Sequence, residues 1–410
     1  MKILICCENF YPSIGGVQEV CMQLAKRLSK IDHAVYVATS WNPYRKSNKI
    51  NGIQIIDFKI FGNFTRSIVG ETQKYIDYVC KNDFDVILIY AAQQWSCDLL
   101  LKYIPKINAK KILVPCGFSK LYDRNYLPYF DFLKKQLNYF DKFIFHTKLY
   151  RDFQFIKKNI IDFNKLYLIP NCADENEFDD LKIKTFYKKK FNNENEIIIL
   201  TNGSFTLDKG LKDVLDAFSI LNTDKNIKLY INSDFRNDHK MIVKIVNFLK
   251  NILKTILFKK TNFNLMKYLK NKSKEINMKN PNKKIEIVNL KRDTLIELYK
   301  SSDIFIFASK IEYSPLVIFE AMASANALIS HDVGNVKEII NKTNSGLIVN
   351  NQIDSSRKSN IDIHDLANKL KLLVDNKELI KKFSSNGRSH YINFYNWKKI
   401  FIKYENIFSK

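Results

Sequence analysis

Glu312 and Glu320 stand eight residues apart across what the residue types mark as a helix start, and carboxylates so placed have chemical content. Ser314 is a good N-cap, and Pro315 fits the first helical position, where its missing N–H costs nothing. A helix beginning there presents free amides and the positive end of its dipole, which suits a phosphate. Glu320 lies inside an otherwise apolar run of Leu316, Val317, Ile318, Phe319, Ala321, Met322 and Ala323. Helical side chains lean toward the N-terminus, so Glu320 reaches back over the first turn. The two carboxylates then converge beside one anion site without both touching the anion, and the hydroxyls of a sugar or ribose are what they accept from. The same spacing fits a solvated loop glutamate and a glutamate snorkelling from a core helix.

Lys209 and Gly210, preceded by Gly203, open a second helix, where a cation adds to the dipole and could neutralise a leaving diphosphate. A lysine at a helix start is also an ordinary solvated residue. The Gly15-Gly16 pair lets backbone approach a ligand closely or makes a turn. The GxxxxGK[ST] phosphate loop is absent and GxGxxG does not follow the first strand, which disfavours a P-loop ATPase and a nicotinamide enzyme. Asp83-Phe84-Asp85 has the DxD form that binds metal in some sugar transferases. It precedes an apolar strand, at the sheet end away from the ligand loops, and reads as a surface turn. The six histidines form no HxH or HxxxH pair, so no zinc site is expected.

Three segments that carry these residues share one grammar: apolar strand, polar or glycine-containing loop, amphipathic helix. They open at 2–7, 196–200 and 304–308, and further strands read at 35–39, 86–90, 111–115, 142–146, 165–169, 228–231, 285–288 and 327–330. Strands alternating with helices predict parallel sheets covered on both faces. The opening at residue 1 recurs at 196 after a polar stretch from Asp174 to Glu196, read as a linker. The expected organisation is a doubly wound domain over 1–180, a second, similar domain over 190–385 and a C-terminal helix over 386–410. Such domains place ligand loops at the carboxyl ends of their strands, and a cleft between them is the default site.

At 410 residues the chain has the length of two domains at roughly 150 residues each. Its 46% apolar and 13% aromatic content supports a sizeable core and argues against disorder. No run approaches the ~18 apolar residues of a membrane-spanning helix, and MKILICCENF lacks the features of a secretion signal. Seven cysteines without a CxxC pair fit reduced cytosolic thiols.

The 66 basic residues include only nine arginines, so part of the +24 charge is compositional lysine. Between Arg236 and Lys284, however, 14 basic residues meet two acids, Asp238 and Glu275, which puts half the net charge in this insert (236–284). Within it, 241–260 (MIVKIVNFLKNILKTILFKK) repeats apolar residues at helical spacing. One reading is an in-plane helix on an anionic membrane surface, and the other is a packed helix with a solvated lysine face. Nucleic-acid binding is rejected, because no recognition motif or interleaved aromatic patch accompanies the charge.

The string SKIEYSPLVIFEAMASANALISHDVGNVKEII (309–340) resembles the signature of glycosyltransferase family 4, also called group 1. YPSIGGVQEV (11–20), LIPNCADENEF (168–178), GSFTLDKGLKDVLDAF (203–218), LYKSSDIFIFAS (298–309) and NSGLIV (344–349) resemble further family segments in the family's order. The resemblance implies an α/β chain of the GT-B fold, with two facing Rossmann-like domains, parallel sheets and a C-terminal helix; the domain over 1–180 would be the acceptor side and the domain over 190–385 would bind the nucleotide sugar. It implies a nucleotide-sugar donor as co-substrate, no cofactor and no required metal. Transfer would retain anomeric configuration. By resemblance Glu312 is the catalytic-site residue, touching donor-sugar hydroxyls, and Glu320 takes the ribose. Lys209 would hold the diphosphate with amides around Ser314 and Leu316 and the Gly15-Gly16 loop.

Three positions depart from the family pattern. Ser204, counted with the donor-binding residues, stands where an arginine is usual, Pro315 removes an amide from the helix start, and Cys116 precedes Gly117 where a histidine is common. Cys116 is not assigned a catalytic role. The function expected is transfer of a sugar to a glycan or lipid-linked acceptor in cell-surface polysaccharide or glycolipid biosynthesis. The expected location is cytoplasmic, at the inner face of the plasma membrane if the insert binds lipid. A nucleotide-sugar epimerase or phosphorylase on the same fold, and a catalytically silent GT-B scaffold, are the competing readings.

Overall fold

The computed structural model describes residues 1–179, 184–191, 195–234 and 263–409, so the amphipathic stretch 241–260 lies outside the described residues. The chain divides into two compact units, Met1–Cys172 with Trp397–Lys410, and Ala173–Asn396.

The first unit contains β1 (Lys2–Cys6), β2 (Ala34–Ser40), β3 (Lys49–Ile50), β4 (Ile53–Phe58), β5 (Ile60–Asn63), β6 (Ser67–Gly70), β7 (Val86–Tyr90), β8 (Lys110–Val114), β9 (Lys142–Phe145) and β10 (Leu166–Leu168). Its eight-stranded sheet runs β10-β9-β8-β7-β1-β2-β4-β3, and β5 and β6 pair as a separate hairpin. Every pairing in the large sheet is parallel except β3 with β4. Strands buried on both faces must be apolar throughout, and β7 (VILIY) is buried at every residue. Asp83-Phe84-Asp85 sits at the amino end of β7, where the Asp85 carboxylate accepts from the Lys2 amide (2.6 Å). The helix Trp397–Ser409 completes this unit, with Arg27 lying over the Trp397 ring at 5.2 Å.

The second unit contains β11 (Ile197–Asn202), β12 (Ile227–Asn232), β13 (Lys283–Val288), β14 (Ile304–Phe307), β15 (Ala327–His331), β16 (Gly346–Val349), β17 (Asn351–Ile353) and β18 (Ser359–Ile361). Its six-stranded sheet runs β13-β12-β11-β14-β15-β16, parallel throughout, while β17 and β18 form an antiparallel hairpin. Chain order therefore reverses between β11 and β14, the doubly wound arrangement in which ligands gather at the carboxyl ends flanking the reversal. The Leu211–Ile220 helix packs its buried Leu211, Val214, Leu215 and Phe218 on this sheet.

Two segments differ from the sequence reading. The stretch read as a linker from Asp174 packs on the second unit, because Phe178 and Tyr187 are buried anchors among its polar residues. Arg388 Nη1 donates to the Phe178 carbonyl (2.8 Å), and Tyr391 donates to Asp179 (3.0 Å). The C-terminal segment is two helices, Lys377–Phe394 and Trp397–Ser409. Asn396 separates them by donating its amide to the Tyr391 (3.1 Å) and Ile392 (2.7 Å) carbonyls, satisfying groups at the first helix's end. No described helix is long and apolar enough to cross a membrane.

The first unit's core holds a buried carboxylate with a pH signature. Asp98 is 9% exposed and accepts from the Phe64 amide (3.3 Å). Burial pushes its pKa up to about 7, against hydrogen bonds from Phe64 and Tyr129. A raised folded-state pKa adds stability that is complete below the unfolded value of about 4 and is lost as pH rises through 7. Asp98→Asn cannot ionise, so its melting temperature relative to the parent should be higher at pH 8 than at pH 5. Thermal melts at the two pH values check this, and an unchanged difference contradicts it.

Candidate active site

The order reversal places the loops after β11 and β14 side by side, and backbone contacts lock them together. The first loop ends in a 3₁₀ turn, Leu207–Lys209, followed by Gly210 at φ 68° as N-cap of the Leu211–Ile220 helix. A side chain at 210 is excluded twice, by the left-handed φ and because a Cβ there would lie 2.0 Å from the Ala308 carbonyl oxygen. The Asp208 carbonyl accepts from the Lys310 amide (2.7 Å) and the Ser309 hydroxyl (3.2 Å).

This seam brings Lys209 to Glu312. Lys209 Nζ donates to Glu312 Oε1, and the Ser309 hydroxyl donates to the same oxygen (3.0 Å). Both side chains keep some solvent access, at 29% for Lys209 and 17% for Glu312, so a ligand can reach the pair. Ser204 lies exposed at the start of the same loop.

The helix after Glu312 begins one residue later than its sequence suggests. Pro315 is the N-cap and the helix runs Leu316–Ala323, without a side-chain cap. Ser314 is buried and accepts from Asn335 Nδ2 (3.0 Å), while the Asn335 amide donates to the Tyr313 carbonyl (2.9 Å). Pro315 itself is extended (φ −72°, ψ 126°) and so precedes the helix instead of opening it, and Asn335 claims the serine hydroxyl that would have capped it. Leu316, with its amide, is the first helical residue.

Glu320 is buried, and its main partner is a residue that the motif reading missed. Arg292, at the start of the Arg292–Ser301 helix, donates from Nη2 to Glu320 Oε1 (2.7 Å) and from Nε to Glu177 Oε1 (3.1 Å). Burial works against the Arg292 charge, but Glu320 and Glu177 outweigh it and raise its pKa. Tyr299, fully buried, lies beside Glu320 and accepts from Asn202 Nδ2 (3.1 Å); its hydroxyl is pushed well above its ordinary pKa by burial and then by the Glu320 charge. Asn202 in turn accepts from Asn232 (2.8 Å), which anchors the Leu290 amide (3.0 Å). One sequence signal pointed to Arg292. Only nine of the 66 basic residues are arginines, so each marks a position where a fixed fork of donors stands in place of the common lysine.

Gly15 and Gly16 belong to the first unit. Gly15 is the N-cap of the Gly16–Lys30 helix, with extended backbone (φ 168°) that needs no glycine. Around the neighbouring strand ends, Ala91 and Gln93 after β7 and Cys116 and Phe118 after β8 all take positive φ. Such strain persists where surrounding structure enforces it, often at ligand sites. The Cys116 thiol is raised above its ordinary pKa by burial and by Asp152, which disfavours the reactive thiolate. Among the described residues no group of three or more His, Cys, Asp or Glu is placed to hold a metal ion.

Comparison with known proteins decides what this arrangement belongs to. The signature of Glycosyl transferases group 1 matches residues 182–390, half of the chain. The chain belongs to the group 1 glycosyltransferases. N-acetyl-alpha-D-glucosaminyl L-malate synthase of Bacillus anthracis is 21% identical over 425 residues, spanning 100% of this chain and 96% of that protein. Among solved structures, sucrose-phosphate synthase from Thermosynechococcus elongatus matches with a TM-score of 0.71 at 16% identity, covering 100% of this chain and 98% of its own. HepE of Anabaena, solved in complex with UDP, matches with a TM-score of 0.70 at 14% identity over 100% of both chains. The fold of this glycosyltransferase is GT-B, and its reaction class is sugar transfer from a nucleotide-sugar donor.

The seam between the two loops gives a direct test. Gly210→Ala should cost on the order of 3 kcal/mol or more, from both the left-handed backbone and the displaced Ala308 carbonyl. Chemical denaturation measures it; a loss below about 1 kcal/mol would show that the loops separate easily.

Proposed function

We propose that this glycosyltransferase retains anomeric configuration and passes its sugar to a glycan or lipid-linked acceptor in cell-surface polysaccharide or glycolipid synthesis on the cytosolic side. The observation that carries the donor half of this reading is the Lys209–Glu312 pair, joined across adjacent loops at the sheet's order reversal. Donor binding exchanges that internal contact for two external ones. Lys209 turns its charge to the donor diphosphate, and Glu312 accepts from sugar hydroxyls. Glu320 takes ribose hydroxyls with an oxygen left over from Arg292, since a carboxylate has about four acceptor positions.

As the glycosidic bond breaks, negative charge grows on the departing diphosphate. In this reading Lys209 and the amides from Leu316 onward stabilise it, with Ser314 beside them. Retention puts the acceptor hydroxyl on the face the diphosphate leaves, so a phosphate oxygen takes the hydroxyl proton as the new bond forms. No side-chain base is then needed, which agrees with the protonated state favoured at Cys116.

Because both members of the pair are partly exposed, Lys209→Ala and Glu312→Gln should leave the melting temperature within a few degrees of the parent. Each should lower transfer by about 100-fold or more. Transfer assays with purified variants check this, and full activity in either variant removes that residue from the site.

Donor and metal dependence come from one screen. UDP-sugars come first, given the UDP complex of HepE, followed by GDP- and ADP-sugars. One nucleotide should raise the melting temperature and support sugar release equally well with EDTA present. Loss of the response in EDTA would replace Lys209 by a metal as the main diphosphate partner. Silence across the panel would favour the scaffold reading.

A further inference from the structure

Thirteen residues separate β16 from the Ile363–Asp375 helix, where a connection of about 2–6 usually suffices, and they are built as the β17–β18 hairpin. Its turn is closed by Asp354, whose amide donates to the Lys358 carbonyl (3.0 Å). The Asp354 carboxylate accepts from the Ser356 amide (2.8 Å), the Lys358 amide (3.0 Å) and Asn360 Nδ2 (3.1 Å). The two residues leaving this turn reach the loops that carry Lys209 and Glu312 and the end of β15. Lys358 Nζ pairs with Asp208 Oδ1 (2.6 Å), next to Lys209. The Ser359 amide donates to the Lys310 carbonyl (2.9 Å), two residues from Glu312. Its hydroxyl donates to the Asp332 carbonyl (2.8 Å), and its own carbonyl meets His331 Nε2 (3.2 Å), at the end of β15.

We propose that the β17–β18 hairpin is a strap that sets the Lys209 loop against the Glu312 loop, and that Lys358, acting through Asp208, is a positioning residue for the transfer reaction. The inference rests on the donor-site reading of Lys209 and Glu312 given above. The loops already share the Asp208 carbonyl contact to Lys310, which fixes their main chains. Lys358 adds what the main chain cannot: it holds the Asp208 side chain, and with it the orientation of the 207–209 turn that aims Lys209. An ion pair between side chains 33% and 48% exposed contributes only ~0–1 kcal/mol to folding, so a kinetic role and a stabilising role separate experimentally.

Lys358→Ala should melt within about 2 °C of the parent, yet lose about ten-fold in kcat/KM with the donor, through kcat and donor KM together. Lys358→Arg, which keeps the charge, should recover most of the loss. Asp208→Asn should match Lys358→Ala, and the two losses should not add, since both cut one link. Exchanging the partners, Asp208→Lys with Lys358→Asp, should restore more than half of the logarithmic loss. Lys358→Ala with parental kcat and donor KM overturns the strap while leaving the donor assignment standing. A kinetic loss that tracks an equal loss of folded protein also overturns it, and so does failure of both Lys358→Arg and the exchange to recover activity. A parent chain that turns over no nucleotide sugar overturns the donor assignment, and the strap with it.

Discussion

Everything described at the candidate site depends on one steric fact: the backbones after β11 and β14 touch. Gly210 lies so close to the Ala308 carbonyl that no side chain fits, and the Asp208 carbonyl is bonded across the same seam to Lys310. Parallel strands that neighbour each other across a reversal of chain order send their connections to opposite faces of the sheet. The space between those connections is thus left open to a ligand. Here the seam keeps that space narrow enough for a lysine from one side to meet a glutamate from the other. The chemistry is short-range and the scaffold is what supplies the range.

Burial sorts the charged residues of the second unit into two kinds. Glu320 is tied into a continuous polar chain of Arg292, Tyr299, Asn202 and Asn232, where every link satisfies a group that would be costly to leave alone. Among the described residues, the Lys209 and Glu312 side chains meet each other and Ser309 and remain partly exposed. The first kind maintains geometry; in the proposed reaction, the second exchanges partners when a donor arrives. A site needs both, because a carboxylate that holds shape cannot also yield it.

Much of this was legible in the residues. Continuous apolar runs marked the parallel strands, and the glycine, proline and carboxylate spacing around 210 and 312 marked two loops that the structure brings side by side. What stayed hidden had physical causes. Ser314 carries all the local credentials of a helix cap, but Asn335, twenty-one residues later, takes its hydroxyl. The 174–196 stretch reads as a linker because polar residues outnumber Phe178 and Tyr187, though those two anchors hold it on the second unit. Arg292 belongs to no motif, since its value lies in meeting Glu177 and Glu320, which are distant in sequence. The β17–β18 hairpin is short and polar, and only its contacts reveal its placement.

The order of strands in the second unit also has a consequence for how the protein behaves in a crowded solution. Among the described residues, the six-stranded sheet has no strand beyond β13 or β16, and a bare border invites another chain to add one. One border is β13, where Lys284 and Glu286 alternate with buried Ile285 and point outward, 60% and 50% exposed. Each is already engaged, Lys284 with Glu196 (2.9 Å) and Glu286 with Lys228 (2.6 Å). These pairs reach inward, to Lys228 on β12 and to Glu196 just before β11, so an incoming strand would meet two charges held on the border strand and have to strip water from both. The opposite border, β16, is four residues long and offers little to pair with. Part of the lysine that composition alone would explain thus guards against self-association.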